Sequence, residues 1–274
     1  MIHYISQLKQ YDATILASLK KEVAVTQINW FESYSDYQSG GWRIAALYNA
    51  TGEEAYDTPL EEPIKPTPLL ERMPQMKAFL EATGLDYFMV RLTQSLPNSY
   101  LYEHSDYEGL EKHEKLRLHI PLETQAAAQM SFVKANVYLE SGYLWKLEPR
   151  SAVHGVYNRG EHPRIHLVLD CYMNPLLHSL VETEWLDQGL VMTPPEMTAQ
   201  DVDQVMVQAR NLLVQGQAQA AEHYILTTFY DYQHLRGYTS YEMMINLYQT
   251  YAPEQQARIH YWRDRWQEVY HHST

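Results

Sequence analysis

Short segments in which apolar and polar residues alternate dominate the middle of the chain. The strands predicted from this alternation cover residues 87–92, 100–104, 116–122, 133–139, 142–147, 153–157 and 164–172. Turn residues such as Pro97-Asn98, Ser141-Gly142 and Arg159-Gly160 separate them. Since no helical pattern intervenes, the segments favour an antiparallel sandwich or jelly roll over a parallel sheet.

Segments in which apolar residues have helical spacing lie on both sides of these predicted strands. This spacing predicts a first helix within residues 1–22, a helix over 69–82, and C-terminal helices over 176–187, 199–215, 217–230, 239–251 and 254–270. A short strand is predicted at 42–48, followed by a proline-rich loop at 49–69. The expected fold is mainly β with α. Residues 1–176 form a β domain with N-terminal helical cover, and residues 177–274 form a helical region.

Composition narrows the class of protein. The chain has 274 residues, of which 45% are hydrophobic, which is enough for a packed core. The formal net charge of −13 disfavours a nucleic-acid substrate, because a phosphate backbone would be repelled. The N-terminal segment does not resemble an export signal, and no apolar stretch is long enough for a membrane span. A cytoplasmic protein without membrane or nucleic-acid partners is expected. Cys171 is the only cysteine, so no intrachain disulfide forms.

His104 and Asp106 lie two residues apart at the end of a predicted strand. On an extended backbone such residues point to the same face, so an imidazole and a carboxylate can approach one ion together. Alone, a His-x-Asp triplet is weak evidence, since most such triplets lie on solvated turns.

His154 lies in a mostly apolar strand, where a charged imidazolium would be costly to bury. It is either a core histidine with one hydrogen bond or a third metal ligand. As a third ligand it completes a face of two histidines and one carboxylate, which holds iron(II) and leaves coordination positions open. Structural zinc sites usually use cysteine ligands, and the single cysteine of this chain therefore favours iron over zinc.

Arg164 begins a strand in which Ile165, Leu167 and Leu169 form the apolar face. The arginine therefore shares the opposite face with His166, Val168 and Asp170. An arginine inside a β-barrel needs an anion. That anion is either an acidic side chain, Asp170 or Glu161, or the carboxylate of a ligand. In the same way, Arg117 and His119 alternate with the apolar residues of segment 116–122.

The order of these residues carries a resemblance. His104-x-Asp106, Arg117-x-His119, His154, Arg164 and then His166-Leu167-Val168-Leu169-Asp170 are similar to the aspartyl/asparaginyl β-hydroxylase family of iron(II)/2-oxoglutarate dioxygenases. Within it, the chain is most similar to bacterial L-proline cis-hydroxylases, chiefly the cis-4-hydroxylase branch. The similarity runs from about Tyr34-Ser35-Asp36-Tyr37 to Asp170 and is weakest in the C-terminal part.

The resemblance implies a double-stranded β-helix core and a role for each residue. His104, Asp106 and His154 would ligate iron(II), and Arg164 would pair with the distal carboxylate of 2-oxoglutarate. Thr93 would support that carboxylate, His119 would contact the cosubstrate, and Arg117 would contact the cosubstrate or the substrate. The presence of Asp106 disfavours a halogenase, because chloride would need its coordination position.

The expected function is hydroxylation, with O2, of a small amino acid, free or held in a small peptide or on a carrier. Proline or an analogue is the first candidate, and Arg117, Arg43 or Arg91 would hold its carboxylate. The alternatives are an aspartyl/asparaginyl β-hydroxylase acting on a peptide or protein, and a catalytically silent jelly-roll binding protein. Apolar faces of the C-terminal helices would pack on the sheet or form a homodimer.

Overall fold

The computed structural model describes residues 3–58, 60, 63–106, 115–148 and 152–270. The strands are β1 Ile5–Gln10, β2 Phe31–Glu32, β3 Trp42–Asn49, β4 Lys65–Pro66, β5 Asp86–Ser95, β6 Ser99–His104, β7 Lys115–Glu123, β8 Ala128–Phe132, β9 Ala135–Val137, β10 Tyr143–Leu147, β11 His154–Asn158, β12 Arg164–Tyr172 and β13 Val191–Met192. The helices are α1 Ala13–Val25, α2 Pro68–Glu71, α3 Pro74–Ala82, α4 Pro175–Val181, α5 Ala199–Val214, α6 Ala218–Leu226, α7 Thr228–Asp231, α8 Ser240–Tyr251 and α9 Gln256–Tyr270. In the described segments, no helix is both long enough and apolar enough to cross a membrane.

The strands form two antiparallel sheets. The larger has the order β1-β10-β7-β12-β5-β3-β2, with β4 paired to β3, and the smaller has the order β13-β9-β8-β11-β6. The core is therefore a jelly roll, or double-stranded β-helix, with helices at both ends of the chain, and the predicted fold class is confirmed. The division of the chain at residue 176 stays a prediction, and β13 joins the small sheet from beyond that point.

The two faces of each sheet pack against different parts of the molecule. The outer face of the large sheet packs against the N-terminal helices through residues such as Leu92, Leu118 and Leu167, all buried. Its inner face carries polar and charged side chains, because they alternate with these apolar residues along β5, β7 and β12. The small sheet covers the inner face from the other side, and its own outer face packs on the C-terminal helices.

The prediction of a helix over residues 1–22 is wrong in its first half. Residues Ile5–Gln10 form an edge strand on β10, with a register irregularity between Gln7 and Lys9. Ile5 and Leu8 have helical spacing in the sequence, but they belong to core clusters on opposite sides of the sheet. The helix begins after Asp12, whose side chain accepts a hydrogen bond of 2.7 Å from the Thr14 amide.

Other boundaries also differ from the prediction. The helix predicted over 176–187 ends at Val181, and the segment predicted as one helix over 217–230 is α6 and α7. The segment 133–139 is not one strand, because Phe132 pairs with Ala135 across a tight turn that leaves Val133 exposed. The segment 69–82 is two helices, since Pro74 starts α3 and cannot continue α2. None of these differences moves the strands that carry the candidate chemistry.

Candidate metal centre

His104, Asp106 and His154 converge inside the jelly roll. His104 ends β6 and His154 begins β11, and the two residues are direct partners in the antiparallel ladder between these strands. One ligand-type atom from each of the three side chains lies within 4.8 Å of the other two, and all three residues are buried. Residues far apart in the sequence thus form a compact set of two imidazoles and one carboxylate.

An irregularity in β6 gives His104 its inward direction. The partners change from His154↔His104 to Val156↔Leu101, so β6 contains one more residue than β11 over this stretch. Leu101 and His104 therefore both face the interior although they are three residues apart. Tyr102 lies within this irregular stretch of β6, and its side chain packs instead in the core cluster of the C-terminal helices.

Both imidazoles are oriented by the backbone. The Nδ1 of His104 lies 2.7 Å from the Tyr102 carbonyl oxygen, and the Nδ1 of His154 lies 3.0 Å from the Ala152 carbonyl oxygen. A hydrogen on Nδ1 donated to each carbonyl leaves the Nε2 lone pair free for a metal ion. Burial, followed by the proximity of His104, lowers the pKa of His154 to about 4, so its imidazole is neutral at physiological pH.

Asp106 presents one carboxylate oxygen to the histidines and the other to Arg117. Oδ1 lies 3.4 Å from His104 Nε2 and 4.0 Å from His154 Nε2, whereas Oδ2 accepts a hydrogen bond from Arg117 Nη1. Burial opposes ionisation of this carboxyl, but Arg117 and the histidines outweigh it and hold its pKa below the ordinary value. The site therefore contains an anion at neutral pH.

A second group of polar side chains lies on the inner face of the large sheet. Thr93 and His166 are partners between β5 and β12, and His119 on β7 pairs with Val168 on β12. Arg164 is 1% exposed and donates from Nη2 to His166 Nδ1 at 3.1 Å. Several buried atoms here have no hydrogen-bond partner among the described residues: Thr93 Oγ1, both ring nitrogens of His119, Arg164 Nη1 and His166 Nε2.

The electrostatics of this second group favour a bound anion. Burial, followed by the charge of Arg164, lowers the pKa of both His119 and His166 well below the usual value, so both rings stay neutral. Burial also lowers the pKa of Arg164 to about 9, because its charge is poorly solvated. Unpaired buried donors around a cation are costly unless a ligand satisfies them.

The acidic partners considered for Arg164 in the sequence lie elsewhere. Asp170 is fully buried and accepts hydrogen bonds from Arg91 at 3.0 Å and from Arg117 Nε at 2.6 Å. Glu161 is exposed, and no carboxylate in the part of the chain that the structure describes lies within ion-pair distance of Arg164. The geometry leaves this guanidinium available for the carboxylate of a ligand.

Arg91 and Arg43, the other arginines considered for a substrate carboxylate, differ in position. Arg91 lines the cavity beside the three converging residues, whereas Arg43 lies on β3 and is not among the lining residues. The cavity has a volume of about 40 Å³. Its lining comprises Tyr34, Trp42, Arg91, Thr93, Leu101, His104, Asp106, Arg117, His119, Met130, Leu147, His154, Val156 and Val168.

Sequence reasoning missed two features of this site. The first is that the Asp170 carboxylate binds both Arg91 and Arg117. These residues come together only because β12 pairs with β5 on one side and with β7 on the other. The second is that Tyr34 lies beside His104, in a turn outside the strands, with ring centroids 6.3 Å apart. The sequence signal for that turn is the resemblance to the family, which begins at about Tyr34.

Comparisons with known proteins place these observations in a family. A family model described as aspartyl/asparaginyl beta-hydroxylase matches residues 12–174. L-proline cis-3-hydroxylase 1 from a Streptomyces species is 30% identical over 146 residues, which are 51% of this chain and 50% of that protein. The chain thus spans about half the length of this curated relative. The match is to a cis-3-hydroxylase, so similarity to the cis-4 branch stays a prediction.

Solved structures of low sequence identity also match. A prolyl-4-hydroxylase from Pseudomonas putida is 15% identical, with coverage of 63% of this chain and 94% of that one and a TM-score of 0.38. HygX from Streptomyces hygroscopicus, with nickel and 2-oxoglutarate bound, is 10% identical, with coverage of 60% and 80% and a TM-score of 0.39.

Proposed function

Because the chain belongs to the aspartyl/asparaginyl β-hydroxylase family, whose model matches residues 12–174, we propose that it is an iron(II)- and 2-oxoglutarate-dependent hydroxylase. The observation that carries the proposal is the buried convergence of His104, Asp106 and His154 within 4.8 Å. Two imidazoles and one carboxylate on one side of an ion leave positions open for a cosubstrate and oxygen.

The donor set fits iron(II). Both Nε2 atoms are free of hydrogen bonds to the backbone, because Nδ1 of each ring faces a carbonyl oxygen. One oxygen of Asp106 faces the imidazoles, and Arg117 holds the other. Such outer partners fix the orientation of metal ligands and raise metal affinity.

The orphaned donors fit 2-oxoglutarate. Arg164 would bind its distal carboxylate, supported by the Thr93 hydroxyl and by His119, all of which have buried atoms without partners in the described segments. Iron(II) with bound 2-oxoglutarate and O2 supplies the oxidation that converts a substrate C–H bond to C–OH, with succinate and CO2 as the other products. The residues of the chain orient the reactants and exclude water.

The cavity must open for this cosubstrate. Its volume is about 40 Å³, and one water molecule occupies about 10–15 Å³ on the same measure. A five-carbon dicarboxylate is larger than the few waters that fit there. Binding therefore needs movement of lining groups, which include Arg117, bound to Asp106, and Tyr34, whose ring centroid lies 6.3 Å from that of His104.

The proposed substrate is a small amino acid, free, in a small peptide or on a carrier, with proline or an analogue first. The 30% identity to an enzyme named L-proline cis-3-hydroxylase supports this choice. The description of the family supports the alternative, β-hydroxylation of an aspartyl or asparaginyl residue in a peptide or protein.

Succinate release across a panel tests these proposals. The protein, iron(II), 2-oxoglutarate and O2 are incubated with each free amino acid and with short peptides that contain proline, aspartate or asparagine. Stimulation by free proline or an analogue supports the first proposal, and stimulation only by aspartyl or asparaginyl peptides supports the second. If the protein neither binds iron(II) nor releases succinate with any member of the panel, the result would instead support a silent binding protein.

A further inference from the structure

A short turn lies against His104 at the edge of the cavity. It begins at Tyr34 and continues through the 3₁₀ segment Ser35–Tyr37, closed by a hydrogen bond of 2.8 Å from the Tyr37 amide to the Tyr34 carbonyl. The Tyr37 and His104 ring centroids are 5.7 Å apart, and Tyr34 lines the metal cavity. Tyr34 has a φ of 57°, which L-residues rarely adopt, so the turn needs support from its surroundings.

Gln38 and Ser39, at the end of the turn, bond to β3 and β6. The side-chain contacts of Asp36 and Tyr37 come instead from α9, more than two hundred residues further along the chain. Arg265 Nη2 lies 2.9 Å from Asp36 Oδ2, and the guanidinium carbon lies 3.9 Å from the centroid of the Tyr37 ring. The Arg265 side chain is 12% exposed, and Glu268 on the same helix lies 3.2 Å from Nη1. One arginine thus makes an ion pair with the turn and stacks on its aromatic ring.

The same helix contacts the metal-facing strand through other residues. Ser105 donates a hydrogen bond of 3.1 Å to the Val269 carbonyl, and Tyr270 donates one of 2.7 Å to Glu103. Trp262 and Ile259 of α9 are buried in the helical core. Removal of Arg265 therefore leaves α9 anchored on both sides of His104.

We infer that Arg265 is a positioning residue that holds the Tyr34–Tyr37 turn closed over His104, so that the C-terminal helices control access to the metal cavity. This inference rests on the proposed function only in taking His104 as a metal ligand. It gives the helical region a part in the active site, because the turn that Arg265 contacts carries Tyr34, which lines the cavity.

Hydrogen exchange of the metal-free, 274-residue chain tests the first half of the inference. Arg265→Ala is expected to raise deuterium uptake of residues 34–38 by about tenfold in rate, with β6 and β11 unchanged. Arg263→Ala is the matched control, because Arg263 is exposed on the same helix and lines a different groove. Exchange of the turn in Arg265→Ala equal to that in the wild-type protein would overturn the inference.

Asp36→Ala supplies a second variant that cannot disturb the packing of α9, since the Asp36 side chain is 66% exposed. It removes the ion pair and leaves the stacking on Tyr37, so a smaller acceleration of exchange is expected. The double variant should exchange no faster than Arg265→Ala alone, because both changes break one contact. Full additivity of the two effects would contradict a shared contact.

Metal release tests the second half. Protein loaded with nickel(II) is mixed with excess chelator, and the rate of metal loss is measured. Arg265→Ala is expected to lose nickel about tenfold faster than the wild-type and Arg263→Ala proteins. Faster exchange of the turn without faster metal loss would show that the turn does not cover the metal. If nickel does not bind at all, the proposed function fails, and hydrogen exchange still decides whether Arg265 holds the turn.

Discussion

At the scale of single residues, each group of the candidate site has one atom committed to the protein and one atom free. Asp106 offers Oδ1 to the imidazoles while Arg117 binds Oδ2. His104 and His154 face backbone carbonyls through Nδ1 and leave Nε2 free. Arg164 donates to His166 from Nη2 and has a buried Nη1 without a partner in the described part of the chain. The free atoms point to two ligands, a metal ion and an anion.

Replacement of His154 tests the metal end of the site. His154→Ala removes one of three ligand-type groups, so affinity for cobalt(II), measured by visible absorption, should fall at least about 100-fold, and turnover should be lost. His162→Ala is the control, because His162 is exposed in the turn before β12. Cobalt affinity of His154→Ala equal to that of the control would exclude His154 as a ligand.

Replacement of Arg164 separates stability from binding. Arg164→Met removes a buried charge that lacks an acidic partner in the described segments, so the free energy of unfolding without ligand should rise by about 1–3 kcal/mol. Its affinity for 2-oxoglutarate in the presence of metal should fall by about 100-fold, because the carboxylate loses its partner.

Arg159→Met is the control for this prediction. Arg159 forms a partly exposed ion pair with Asp231 at 2.6 Å, away from the cavity. Its loss should leave 2-oxoglutarate binding unchanged and should not stabilise the protein. Calorimetry of both variants with and without 2-oxoglutarate makes the measurement. Unchanged cosubstrate affinity in Arg164→Met would contradict the assigned role.

At the scale of elements, the pairing of β6 with β11 sets the distance between the two imidazoles. The extra residue in β6 brings His104 opposite His154, with ring centroids 4.4 Å apart. Gly155 follows His154 in a crowded position, where an added Cβ would lie 2.9 Å from the Leu101 carbonyl oxygen and 2.9 Å from the Tyr230 hydroxyl. The close approach of β6, β11 and α7 thus requires glycine.

Gly155→Ala should therefore disturb both the fold and the site. The backbone oxygen of Leu101 cannot move as a flexible side chain would, so the free energy of unfolding should fall by about 1–3 kcal/mol. To make room for the added methyl group, the backbone at residue 155 must move. This movement displaces the neighbouring His154 relative to His104, so cobalt(II) affinity should fall as well. Thermal unfolding and cobalt titration check both effects, and a variant with wild-type values in both would refute the close packing.

Alternation in the sequence was sufficient to predict the strands of the inner face, because each of β5, β7 and β12 has one apolar and one polar side. The same alternation placed Arg117, His119 and Arg164 on interior faces. It failed at β1, where apolar residues on both sides of an edge strand imitate helical spacing. It also failed between β8 and β9, where the apolar Val133 lies exposed in a turn.

At the scale of the whole molecule, the two sheets of the jelly roll enclose a group of buried polar side chains beside an apolar cluster formed by both sheets. Arg91, Arg117 and Asp170 form an ion-pair network within this group, and no local pattern predicts such a network because its members lie on three strands. The contact of α9 with the Tyr34–Tyr37 turn is equally non-local. Helical spacing predicted the C-terminal helices, but it could not predict the contact of α9 with the turn beside His104. Homodimer formation through them stays a prediction.

Buried neutral histidines make stability depend on pH. Burial lowers the pKa of His119 and His166 well below 6.5, and that of His154 and His234 to about 4. Below about pH 6.5 the unfolded chain binds protons that the folded chain does not. The free energy of unfolding of the metal-free protein should therefore fall on acidification towards pH 4, by about 1.4 kcal/mol per pH unit for each such histidine.

Urea unfolding between pH 7.5 and 5 in the presence of chelator measures this dependence. His119→Gln should flatten it by about one proton, whereas His162→Gln, at an exposed position, should not. A free energy of unfolding that is constant over this range would contradict the neutral, buried state of these rings.

The most direct test of the central claim is anaerobic addition of iron(II) and then 2-oxoglutarate to the protein, followed by visible absorption. If His104, Asp106 and His154 bind iron and Arg164 binds the cosubstrate, a weak charge-transfer band of the chelate should appear at one equivalent of each. The band should be absent from His154→Ala, and in Arg164→Met it should require much higher 2-oxoglutarate. No band in the wild-type protein at saturating iron and 2-oxoglutarate would contradict the account.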